Sequence, residues 1–150
     1  MKSVDILMVV DVDGALAAGY LQSNVYLIDT NKHVGFYNGG GSELYTKCMD
    51  GETIRWRVTG VSPGSEVEIQ NFGGQMVEHG IALPQNVGTA HDAFWEAMVK
   101  TQGQTGQWQY SATLTIGGRS MAFELLLIVG KDLATTVPPA AGEAIPKSEL

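Results

Sequence analysis

The chain is poor in cysteine, in basic residues and in long apolar runs, and each shortage removes a class of protein. A single cysteine, Cys48, among 150 residues leaves no intrachain disulfide. Its thiol reads as a small buried residue rather than a nucleophile. Nine Lys and Arg stand against sixteen Asp and Glu, a net charge of -7. That balance argues against nucleic acid and anionic membranes, because both are bound through a basic face that releases counterions. The N-terminal apolar run ILMVV, between Asp5 and Asp11, is too short for a signal-peptide core or a membrane span. A cytoplasmic protein is the expectation. His33, His79 and His91 are scattered, with neither H-x-H nor H-E-x-x-H among them. No metal site follows from their spacing, and no cofactor is expected.

What is present is glycine and period-two alternation. Nineteen glycines punctuate short segments in which apolar and polar residues alternate, the pattern of many strands joined by turns. The clearest is QWQYSATLTIGGRSMAFELLLIVG. A turn at Gly117-Gly118 pairs Leu114 with Met121, Ala112 with Phe123, Tyr110 with Leu125 and Trp108 with Leu127, all on one face. ETIRWRVTGVSPGSEVEIQNF reads as a second hairpin turning at Pro63-Gly64, with Glu66 and Glu68 near Arg57 across the strands. Further strands are expected over 4–10, 24–29 and 76–78, and over the ambiguous segment 91–100, where Trp95, Ala97 and Val99 share a face. A short helix is allowed over 15–21. The aromatics and Met8, Met98 and Met121 are assigned mainly to the core. Many strands without repeated helices predict an all-β fold, an antiparallel β-sandwich, immunoglobulin-like or jelly-roll-like, with at most one short helix. One domain covers 1–130, and a Pro-containing extension covers 131–150.

Three motifs suggest enzymes and fail on context. DVDGAL, with Asp11 and Asp13, matches the first motif of haloacid-dehalogenase-type phosphatases. That chemistry sits on a doubly wound sheet and needs a positioned Lys and further acidic residues for Mg²⁺, and none of these follows. GVSPG at 60–64 matches the nucleophile elbow G-x-S-x-G, but the residue after the serine is Pro63, which has no N–H for an oxyanion hole. NGGGSELYTK lacks the G-K-[ST] ending of a phosphate loop.

The segments VDILMVVDVDGAL, LQSNVYLIDTNKHV, IRWRV and QYSATLTIGG, in this order, resemble the PixA/AidA family of bacterial inclusion-body proteins over about residues 4 to 130. The resemblance implies a small β-sandwich of the bacterial cytoplasm, expressed at high cell density or in host association and accumulating in inclusions in some members. None of the shared segments is a catalytic signature, so no active residue is carried over.

The leading expectation is therefore a non-enzymatic, self-associating β-sandwich, a homodimer in its simplest form, binding neither nucleic acid nor membrane. The alternative is a small-molecule- or metal-binding module, in which sandwich loops gather Asp11, Asp13, Asn24, Asp29 and Asn38 at one end.

Overall fold

The computed structural model describes residues 3–37 and 44–130. The extension 131–150 and Asn38 lie outside the described residues. The element order is β1 (Ser3–Val10), α1 (Val12–Ala18), β2 (Val25–Asp29), β3 (Val34–Phe36), β4 (Tyr45–Met49), β5 (Thr53–Gly60), β6 (Val67–Gly73), α2 (Gln75–Glu78), β7 (Gln85–Asn86), β8 (Trp95–Met98), β9 (Gly106–Ile116) and β10 (Arg119–Gly130). Two sheets stack face to face. One has six strands in the order β3-β2-β1-β5-β8-β7, the other four in the order β4-β10-β9-β6.

Alternation decides which side chains enter the layer between the sheets. Val4, Ile6, Met8 and Val10 of β1 point inward, as do Val25 and Leu27 of β2 and Ile54 and Trp56 of β5. The opposite sheet contributes Tyr110, Ala112, Leu114 and Ile116 from β9 and Phe123, Leu125, Leu127 and Val129 from β10. The β9–β10 hairpin has the register expected from sequence: Leu114 faces Met121, Ala112 Phe123, Tyr110 Leu125 and Trp108 Leu127. Gly117 and Gly118 carry the positive φ values, 53° and 84°, that the tight turn requires.

The sandwich is not purely antiparallel. β1 pairs in parallel with β5, and β4 in parallel with β10. A parallel pair needs a crossover, and here the chain between β1 and β5 supplies one by placing β4 in the opposite sheet. The second expected hairpin is also corrected. β5 lies in the six-stranded sheet, while β6 pairs with β9 in the other. The turn at Pro63-Gly64 is thus an arch from sheet to sheet, because the apolar faces of β5 and β6 meet across the core instead of lying side by side. Arg57 is consequently far from a cross-strand pairing with Glu66 or Glu68, and bonds Asp92 instead.

Among the described residues, two short helices replace the single one allowed for. α1 starts earlier than 15 because Asp11 caps it, and ends at Gly19 in the left-handed conformation (φ 84°). Residues 76–78, expected as a strand, fall instead in the single turn α2, which seats Met76 in the core. Segment 91–100 does hold a strand, β8, in which Ala97 is buried, with Val99 buried just beyond its end. Met98 points outward and is exposed, not core. No helix among the described residues is long and apolar enough to cross a membrane.

Candidate functional site

The acidic loop residues do not converge. Val10 pairs with Val25, so Asp11 and Asn24 meet where β1 ends and β2 begins. Asp29 pairs with Ile6, further along β1, and faces the core. The Asp11 carboxylate accepts from Gly14 N–H at 3.0 Å, and its backbone N–H donates to the Asn24 carbonyl at 2.8 Å. Asn24 Nδ2 in turn donates to the Tyr20 carbonyl. A methyl group on Gly14 would lie 2.5 Å from Asp11 Oδ2 and 2.7 Å from Asn24 Oδ1, so any side chain there has to displace these two. Asp13 is exposed on the first turn of α1, where a negative charge complements the helix dipole. Asp11, Asp13 and Asn24 thus form a helix cap. Among the described residues, no group of three or more His, Cys, Asp or Glu is placed to hold a metal ion.

Polar groups inside the sandwich do structural work. Asp29 Oδ1 accepts from the N–H groups of Asn31 and His33, closing the turn between β2 and β3. Glu52 accepts from Met49 N–H at 2.7 Å and closes the turn between β4 and β5. Tyr110 is fully buried and receives the Trp56 indole N–H at 3.2 Å. Burial pushes the Tyr110 phenol above its usual range, against the opposing effect of that bond. Burial, reinforced by the nearby Glu52 and Asp50 carboxylates, pushes the Cys48 thiol up to about 12. Such a thiol is not a nucleophile at neutral pH.

The outer face of the six-stranded sheet is half apolar and half charged. Cross-strand pairing sets Leu7, Ile28 and Val34 in one row and Val9, Tyr26 and Phe36 in the next. Val34 is 62% exposed and Phe36 44%. The Tyr26 and Phe36 rings lie 5.9 Å apart. On the other side of β1, the β5 side chains form a charged strip: Arg55 bonds Glu96 at 2.8 Å, Arg57 holds Asp92 through two bonds of 2.8 and 2.9 Å, and Asp5 lies 3.8 Å from both guanidinium groups. The Arg57 guanidinium also covers the Phe94 ring at 4.7 Å.

A cleft of about 690 Å³ opens where the two sheets part at β6 and β8. Its apolar walls are Val58, Val67, Ile69 and Trp95, and Glu66 and Glu68 stand at its rim. Trp95 is the outermost of a chain of rings that runs inward through Phe72, at 5.5 Å, to Trp56, at 4.8 Å from Phe72. Sequence reading placed these aromatics on strands, but it sent β6 to the wrong sheet and so missed the cleft. The only local trace of the site is the alternation of glutamate with apolar residues over 66–69.

In structure the chain is similar to an inclusion body protein, PixA, from Burkholderia cenocepacia J2315. The TM-score is 0.64 at 12% sequence identity, over 86% of this chain and 95% of that one. The likeness is one of fold, and the fold is the one that the sequence resemblance implied. No curated protein matches the chain. A family model described as a domain of unknown function, DUF8788, matches residues 2–122. The chain belongs to this DUF8788 family.

Proposed function

We propose that the protein is a non-enzymatic β-sandwich that associates with copies of itself through the outer face of β1, β2 and β3. The observation that carries this reading is the block of six apolar side chains on that face. Contiguous exposed apolar surface marks an interaction site. The block is uncharged in a chain of net charge -7, and it is where two copies can meet with least repulsion. The strip beside it alternates Arg55, Asp5, Arg57 and Asp92, an arrangement that can pair with its own two-fold copy. The fold shared with an inclusion body protein supports the same reading. The acidic pair Asp11 and Asp13 serves a helix cap, which supports a non-enzymatic role. The test is light scattering coupled to size exclusion over a range of concentrations. The wild-type chain is expected to run as a dimer or larger species, and Ile28→Glu and Phe36→Lys, both at exposed positions, as monomers. A wild-type monomer at the highest concentration would sink the proposal.

A second reading, a binding module, is favoured by the cleft. Its size lies within the range of small-ligand sites, and it combines apolar walls with a few polar groups. These polar groups are not the loop residues Asp11, Asp13, Asn24 and Asp29.

A further inference from the structure

We infer that the cleft takes an extended peptide with alternating basic and apolar residues, added as a further strand along the open edge of β6. This rests on the binding-module reading of the cleft and is independent of self-association through β1–β3.

The lining of the cleft carries the inference. A strand that turns one face to a cavity lines it with every second residue. Here Ser65, Glu66, Val67, Glu68 and Ile69 all line it, so the cleft runs along the edge of the strand, where backbone groups are presented. The Glu66 carbonyl accepts from Gly117 N–H, which turns the polar groups of Glu66 toward β9 and those of Val67 toward the cleft. Among the described residues no strand pairs with β6 on that side. The bulge between Ile69 and Asn71 ends the regular stretch.

The other edge of the same sheet is treated differently. Asn31 Nδ2 occupies the Lys47 carbonyl of β4 at 2.6 Å. The Gln22 amide takes both backbone groups of Glu124 on β10, accepting from its N–H at 2.9 Å and donating to its carbonyl at 3.2 Å. Edges left open invite added strands, and among the described residues the side-chain amides that block this one have no counterpart at 65–69.

Charge selects the occupant. Val67 and Ile69 point into the sandwich, toward Val58 and Trp95, while Glu66 and Glu68 are exposed. A strand laid beside them drops alternate side chains onto the apolar walls and sets the others next to the two glutamates. Pairing β6 with β6 of a second copy would bring carboxylates opposite carboxylates, which is destabilising. A peptide with Lys or Arg at those positions gains instead.

The experiment uses the full chain and a blocked heptapeptide of alternating lysine and valine, followed by amide shifts and the Trp95 indole signal in NMR. The expected result is saturable shifts confined to 65–69 and Trp95, and no binding of the glutamate–valine counterpart. Val67→Pro removes the outward N–H at an edge position that tolerates proline, and Glu66→Lys with Glu68→Lys reverses the rim. Each is expected to weaken binding by about tenfold or more. If the proline variant fails to fold, N-methylation of alternate valines in the peptide tests the same hydrogen bonds from the ligand side. Binding that moves Trp95 but ignores Val67→Pro and N-methylation overturns strand addition and leaves the cleft as a binding site. No shift in either place overturns both. Shifts over 65–69 that follow protein concentration alone give the edge to a second copy and overturn the peptide.

Discussion

Trp56 on β5 donates its indole N–H to the hydroxyl of Tyr110 on β9, joining the two sheets by a buried bond of 3.2 Å. Both side chains are wholly excluded from solvent. Tyr110→Phe keeps the ring and leaves the indole N–H without its acceptor. A buried donor left so costs about 1–3 kcal/mol. Urea unfolding should show a lowered midpoint with an unchanged slope. An unchanged midpoint would mean that the bond contributes nothing to stability.

The cap of α1 makes Gly14 and Asp11 a coupled pair. Gly14→Ala should displace the Asp11 carboxylate, because the added methyl would sit 2.5 Å from Oδ2. Asp11→Ala alone loses the cap, at about 1 kcal/mol. The same glycine substitution should therefore cost less in the Asp11→Ala background than in wild type, a non-additivity that a double-mutant cycle reads directly. Strict additivity would disprove the coupling.

Asp50 gives stability a pH dependence of known sign. Its carboxylate accepts from Thr101 N–H at 2.6 Å and Gly103 N–H at 2.9 Å, and these bonds hold its pKa below the ordinary carboxylate value. A group with a depressed folded pKa binds protons more readily when unfolded. Its contribution is present above the ordinary carboxylate range and is lost as the pH falls through the folded value. Stability should thus fall less steeply on acidification in Asp50→Asn than in wild type, compared by denaturant unfolding at neutral and acidic pH. Parallel curves would show that these bonds do not favour the charged form.

Cys48 should be silent toward thiol reagents. With its pKa pushed to about 12 by burial and by neighbouring carboxylates, almost no thiolate exists at neutral pH. Incubation of the native chain with a disulfide reagent should give no release of chromophore, and addition of denaturant should give one equivalent. Rapid labelling of the folded chain would refute the burial.

Local pattern revealed local structure. The β9–β10 hairpin was legible to the residue because one two-glycine turn and two alternating runs leave a single register with all apolar residues on one face. β5 and β6 alternate just as clearly, yet alternation says which face is buried and not which strand lies alongside. An arch and a hairpin share that signature, so β6 was placed beside β5 when its partner is β9. The parallel pairs have no sequence-local trace, since Ser3 lies against Thr53 and Met49 against Gly130. The candidate site was hidden for the same reason. Glu66, Val67, Glu68 and Ile69 are visible as an alternating run, but their position at an edge facing Trp95 is a property of the assembled sheets. The DVDGAL motif was legible in the other direction: its context already ruled out catalysis, and the Asp11 carboxylate accepts from Gly14 N–H as a cap.

The parallel seam between β1 and β5 also sets a timetable. β1 precedes β2, which can fold back on it almost at once, yet the opposite side of β1 gains its partner only from Thr53 onward and is complete only when Gly60 pairs with Val10. β4 waits longer still, for Leu126–Gly130 near the end of the described chain. Nascent chains crowded on one messenger therefore carry unfinished sheets side by side, and contacts closed over such distances in sequence form slowly.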